Sequence, residues 1–217
     1  PGAPPLISVG EAGMVGKIGL NANGVGVGLN AIRSATCGEG LPIHIALRAM
    51  LECETLDAAR QIAHDGVCAP AHFLLADGSG QAEGLEVHPG QPGTITPARG
   101  VVTHTNHLVS DTATHWVEDF PKPDSWSRLS RLDALVEQLL DDLGMDGSGA
   151  DERGTERGTA STAPNESATL DAERLFDLLG DHTPGEDSLC RHFDPSVAEP
   201  ERMETLFSVV MDLTDKV

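Results

Sequence analysis

Along the first third of the chain, apolar positions alternate with polar or glycine positions. Met14 to Leu20 and Val25 to Asn30 read as two short strands joined at Asn21-Ala22-Asn23-Gly24. Asn and Gly tolerate positive φ, so this run suits a hairpin turn. At Pro42 the period lengthens. Ile43, Ala46, Leu47, Met50 and Leu51 fall on one helical face, and Leu56, Ala59, Ile62 and Ala63 make a second helix ending near Gly66. Period two then returns in a strand at His72 to Ala76, a turn at Asp77-Gly78-Ser79-Gly80 and a returning strand at Ala82 to Val87. Thr94 to Thr96 and Val101 to His107 supply two more strands. Asp124 to Leu143 predicts a helix with Trp126, Leu129, Leu132, Leu135, Val136 and Leu139 on its stripe. Leu170 to Leu179 reads as a short helix, and Thr205 to Met211 as a last strand. Residues 144–169 contain one large apolar side chain, Met145, and predict a disordered insertion. Hairpins, helices and hairpins again imply an α+β class, with antiparallel sheets and helices packed outside in one domain over residues 1–217.

Composition narrows the possible partners. The chain has 217 residues, 34 Asp+Glu against 14 Lys+Arg, and a net charge of −20. Such a charge repels nucleic-acid phosphates and anionic membranes, so neither is expected as a partner. Only Lys17, Lys122 and Lys216 are lysines. An acidic, lysine-poor surface suits a salt-filled cytoplasm, where carboxylates stay hydrated and salt screens their repulsion. Acidity in a GC-rich genome is the plainer alternative. Cys37, Cys53, Cys68 and Cys190 show no paired spacing, which points to reduced thiols in a cytoplasmic protein.

Four segments carry candidate chemistry. The Gly-x-Gly spacings from Glu11 to Asn30 sit inside strands rather than before a helix, so a phosphate loop fits poorly and close backbone approach fits better. Thr103-His104-Thr105-Asn106-His107 has three readings. His104 and His107 could join Cys190 or His192 around a metal, although two strand residues three apart point to opposite faces. Asn106 could donate its amide to a developing oxyanion, or the segment could simply close a turn. Cys190, beside Arg191 and His192, could be an activated thiolate or a small buried hydrophobe. Arg202-Met-Glu-Thr-Leu-Phe is the fourth segment.

Taken together and in order, several motifs resemble the acyl-coenzyme A:6-aminopenicillanic acid (isopenicillin N) acyltransferase family. They are Glu11-Ala-Gly-Met-Val-Gly-Lys-Ile-Gly-Leu-Asn, Gly24-Val-Gly-Val-Gly-Leu-Asn-Ala, Leu41-Pro-Ile-His-Ile-Ala-Leu-Arg48, Gly84-Leu-Glu-Val, His104-Thr-Asn-His107, Pro123-Asp-Ser-Trp-Ser-Arg128, Cys190-Arg191 and Thr205-Leu-Phe. The resemblance implies an Ntn-hydrolase αββα sandwich of antiparallel sheets, incomplete at the N-terminus. It also implies a precursor that cuts itself to expose an N-terminal cysteine, both nucleophile and, through its α-amine, general base. That cysteine, and the aspartate that follows it in the family, would lie upstream of Pro1.

By the same resemblance, the side-chain amide of Asn106 lines an oxyanion hole and Asn30 adds its backbone N–H. Arg202 and Arg191 match arginines of the penicillin acyltransferase and of bile-salt-hydrolase relatives. The substrate would be a small amide or an acyl-CoA-like thioester, with no metal or redox cofactor needed. Two other readings stay open: an inactive truncated remnant or binding protein on the same scaffold, and a metal-binding protein built on the histidines.

Overall fold

The computed structural model describes residues 2–145, 170–183, 188–199 and 202–217. Contacts divide the chain into two compact units, Pro1–Leu129 with Met211–Val217, and Ser130–Val210.

The first unit is built on one six-stranded antiparallel sheet in sequential order. Its strands are β1 (Leu6–Val9), β2 (Ile18–Asn21), β3 (Val25–Ala31), β4 (Ala71–Asp77), β5 (Ala82–Val87) and β6 (Gly93–Ile95). Helices α1 (Ile43–Leu51) and α2 (Leu56–His64) connect β3 to β4. Strand alternation decides what each face does. Val25 and Val27 of β3, Phe73 and Leu75 of β4, and Leu85 and Val87 of β5 form a core with Leu47, Met50 and Leu51 of α1 and Ala59 and Ala63 of α2. At period two, Asn30, His72 and Glu86 must then point to the opposite face. Thr55 caps α2 by accepting from the Ala58 N–H at 3.2 Å.

One polar residue is central to the first hairpin. Asn21 is fully buried where β2 turns into β3. Its Nδ2 donates to the carbonyls of Leu51 at 3.1 Å and Cys53 at 2.7 Å, and its Oδ1 accepts from the backbone N–H of Asn23 at 2.9 Å and Val25 at 3.2 Å. All the capacity of the amide is used. It ties the turn to the end of α1.

The glycines of β3 have the close-approach role expected of them. A Cβ on Gly26 would lie 2.6 Å from the Leu213 side chain, so the last residues of the chain seat against a strand stripped of side chains on that face.

The α+β architecture holds, and several local expectations change. β1 and a short helix α3 (Asp111–Trp116) are additional elements. Residues 101–107 form no strand, because their backbone is occupied otherwise: the Thr105 carbonyl faces His104 Nδ1 and the Asn106 N–H donates to Ser125 Oγ. The helix predicted from Asp124 is α4 (Asp124–Asp142), but at its start Ser125 is buried and Trp126 is 52% exposed. Of the insertion predicted at 144–169, all but Gly144 and Met145 lies outside the described residues. The second unit contains the short helix α5 (Ala172–Leu179), capped by Asp171. Residues 205–211 form no strand; Thr205 instead bonds the Arg191 backbone twice, through its N–H and its hydroxyl, each at 3.0 Å.

Candidate active site

Register places three polar residues in one row across the sheet. Asn30 on β3 stands opposite His72 on β4, and His72 stands opposite Glu86 on β5. His72 Nδ1 donates to Asn30 Oδ1 at 2.9 Å. Burial, and then the charge of His104, depress the His72 imidazole to about 2, so it is the neutral ring with hydrogen on Nδ1. The bare Nε2 faces Gly84, where a Cβ would lie 2.5 Å away. Only glycine at 84 leaves room for this ring.

The segment after β6 closes over the row. The His104 ring stacks on His72 with centroids 3.7 Å apart and planes 9° apart. His104 Nε2 meets Glu86 Oε1 at 2.9 Å, and Nδ1 meets the Thr105 carbonyl at 2.7 Å. Both ring nitrogens thus face oxygens, one a carboxylate and one a backbone carbonyl. Glu86 is fully buried. Besides His104 it accepts from the N–H groups of Val109 at 2.6 Å and Ser110 at 2.9 Å, and from the Ser110 hydroxyl. Burial works to raise its carboxyl. The hydrogen bonds from His104, Ser110 and the two backbone N–H groups outweigh burial and hold it below the usual value.

This frame aims Asn106. Its backbone N–H donates to Ser125 Oγ at 2.9 Å. Its side-chain Nδ2 donates to the Ala31 carbonyl at 3.0 Å, while its Oδ1 accepts from Arg128 Nη2 at 2.9 Å. Arg128 is in turn held by Asp124 through Nε at 2.9 Å. An amide has two Nδ2 hydrogens, so the second remains available to a ligand. A guanidinium on its oxygen polarises the amide and strengthens that donor. His107 Nδ1 lies 2.9 Å from Ser125 Oγ; burial, then the charge of His104, pull its basicity down.

The structure therefore brings Asn106 and Asn30 together at one end of β3. Arg191 and Arg202 belong to the second unit. Arg202 donates to the carbonyls of Val197 at 2.7 Å and Pro195 at 3.2 Å, and its guanidinium lies 5.0 Å from the Phe193 ring centroid. Burial lowers Arg191 from its ordinary value. His104 and His107, read as possible metal ligands, are engaged by Glu86 and by Ser125 and Thr105. Sequence reasoning assigned no role to His72, Glu86, Ser125 or Arg128. Polar residues at the outward positions of otherwise apolar strands were the available signal for the first two. A cavity of about 350 Å³, lined by Asn23, Glu54, Thr55, Asp77, Ser79 and Lys216 among others, opens beside the turns at the other end of the sheet, away from this row. Among the described residues no helix is long and apolar enough to cross a membrane.

Comparison with known proteins gives this site a context. The family model of acyl-coenzyme A:6-aminopenicillanic acid acyl-transferase matches residues 3–150. The chain is 35% identical over 139 residues to the 40 kDa form of acyl-coenzyme A:6-aminopenicillanic-acid-acyltransferase from Emericella nidulans, covering 63% of this chain and 39% of that protein. It thus spans well under half the length of this curated relative. Among solved structures it is similar to an arginine-to-leucine variant of conjugated bile acid hydrolase from Clostridium perfringens. The TM-score is 0.54 at 11% identity, over 86% of this chain and 63% of that one. This likeness carries the Ntn-hydrolase fold and nothing finer.

Proposed function

Because the chain belongs to the acyl-coenzyme A:6-aminopenicillanic acid acyl-transferase family, we propose that the protein containing it transfers or hydrolyses acyl groups of amides or thioesters. The nucleophile in this reading is a cysteine upstream of Pro1, exposed by self-cleavage, whose own α-amine takes the thiol proton. The thiolate adds to the carbonyl carbon and gives a tetrahedral anion. Collapse of that anion expels the amine or thiol, which leaves with a proton, and the acyl-enzyme is then attacked by water or an amine.

The observation that carries the reading for this chain is the immobilised Asn106 amide, fixed between Ala31 and Arg128 with one hydrogen to spare. A neutral donor held rigidly needs no reorganisation as negative charge develops on oxygen. The backbone N–H of Asn30 is the proposed second donor. Arg191 and Arg202 are proposed to bind an anionic part of the substrate or to favour the thiolate, as fixed positive charges do.

The test uses the full-length protein with its upstream sequence. Mass spectrometry of the mature protein should find a new N-terminal cysteine, and amide and thioester substrates should turn over. Asn106→Ala should lower kcat by about 10²–10³-fold with a smaller change in KM. Asn106→Asp keeps an acceptor for Arg128 but puts a carboxylate where the donor was, and it should be at least as impaired. Full turnover by a folded Asn106→Asp enzyme would remove Asn106 from catalysis. An upstream sequence without any cysteine would leave an inactive scaffold.

A further inference from the structure

We propose that the second unit, Ser130–Val210, contains a transition-metal site whose protein ligands are His182, Cys190 and His192. One imidazole nitrogen of each histidine and the Cys190 Sγ all lie within 4.8 Å of one another. Two imidazoles and one thiolate are a borderline-soft donor set that selects Zn(II) among abundant ions and disfavours Mg(II) and Ca(II), which require oxygen. The occupant is therefore a thiophilic divalent ion, Zn(II) in the first instance.

The spacing is physically reasonable for chelation. Cys190 and His192 are two residues apart and His182 precedes Cys190 by eight, so one short stretch of chain supplies all three donors. His182 is brought to them by the chain around it. The Cys190 N–H donates to the Asp181 carbonyl at 3.1 Å, and the Ser188 hydroxyl donates to the same carbonyl at 3.0 Å. The Asp181 carboxylate is itself gripped by Arg131, through Nη2 at 2.7 Å and Nε at 3.2 Å, and by the Thr183 hydroxyl at 2.9 Å. On the other side, Arg191 is tied to Thr205 by the two bonds already described. The backbone at both ends of the triad is fixed before any ion arrives.

The side chains keep the freedom to adjust. The rings of His182 and His192 are exposed and stack with centroids 4.7 Å apart and planes 17° apart. Among the described residues their nitrogens make no hydrogen bond. Tetrahedral Zn(II), with bonds of roughly 2.0–2.1 Å to nitrogen and about 2.3 Å to sulfur, places donor atoms roughly 3.3–3.6 Å apart. Rotations of exposed side chains supply the remaining ångström or so. Binding converts the Cys190 thiol to a thiolate and releases its proton to solvent, so affinity should fall with acidification. Three protein ligands leave the fourth position of a tetrahedron to water. The donor set alone carries the proposal, which does not rest on the acyl-transfer reading.

The experiment titrates chelator-stripped full-length protein with Co(II), then with Zn(II). Co(II) should give a sulfur-to-cobalt charge-transfer band in the near ultraviolet and the strong visible bands of tetrahedral coordination. One equivalent of Zn(II) should abolish both. Cys190→Ser should lose the charge-transfer band. His182→Ala and His192→Ala should each weaken Zn(II) binding, in competition with a chromophoric chelator, by more than the roughly 10–100-fold that outer-shell changes cost. Both histidines are exposed, and circular dichroism of the variants checks that the fold is retained. A charge-transfer band that survives Cys190→Ser, or Zn(II) binding unchanged in both histidine variants, would place the metal elsewhere and overturn the proposal. So would the absence of any Co(II) band in the unmodified protein.

Discussion

Acidifying the protein from pH 7 to pH 5 should cost stability at His72 above all. Its ring is 1% exposed between Asn30 and His104, and it is held at about 2 against an ordinary value of 6.5. Burial is the larger cause and the charge of His104 the second. A base whose folded value is depressed makes the unfolded chain bind the extra proton, so stability falls as the pH drops below about 6.5. Over this window the unfolded state takes up most of one proton at position 72 and the folded state takes up almost none. Integrating that difference gives a loss of about 2 kcal/mol. Urea denaturation of full-length protein and of His72→Asn at both pH values isolates the effect. Asparagine keeps an N–H donor for Asn30 but does not titrate. At pH 7 the variant should be the less stable, having lost the stack on His104, and at pH 5 the gap should shrink by about 2 kcal/mol. Other groups, including His107, titrate in both proteins and cancel in the comparison. Glu86 acts lower: its folded value lies below 4.5, so its contribution is present above that pH and is lost as the pH falls through the folded value. A gap of the same size at pH 7 and pH 5 would refute the buried neutral ring.

Asn21→Ala strands four backbone partners in a buried turn, so chemical denaturation should show a loss of about 3 kcal/mol or more; under 1 kcal/mol would mean that the turn is not held by this amide. Gly84→Ala should lower the melting temperature because its Cβ meets His72 Nε2 at 2.5 Å, and combining it with His72→Ala should restore part of the loss; strict additivity would show that the two do not touch. With a net charge of −20, melting curves taken from dilute buffer to molar KCl should rise steeply, and a flat profile would remove the salt-adapted reading.

Local pattern was enough for much of the first unit. Helices α1 and α2 appear where their apolar faces predicted them, and β5 covers Ala82–Val87 as read from alternation, because burial of one face leaves a periodic trace in the sequence. The hairpin turn was legible from Asn and Gly, with Gly24 at a φ of 84°. Family motifs pointed to Asn106 and Asn30, and the structure seats both at the end of β3. The machinery that holds Asn106 was not legible. Glu86 stands 18 residues from His104, and Ser125 stands 19 residues from Asn106; nothing in either neighbourhood names the other. These bonds also explain why residues 101–107 do not form the predicted strand: the neighbouring His104 ring and the Ser125 hydroxyl, 19 residues away, occupy backbone groups that a ladder would have used. His182 likewise meets Cys190 and His192 only in the folded chain, where the Cys190 N–H also donates to the Asp181 carbonyl. Sequence periodicity records which side of an element is buried. Which polar groups meet across that boundary depends on strand register and on loop closure, and these are fixed only when the whole chain has packed.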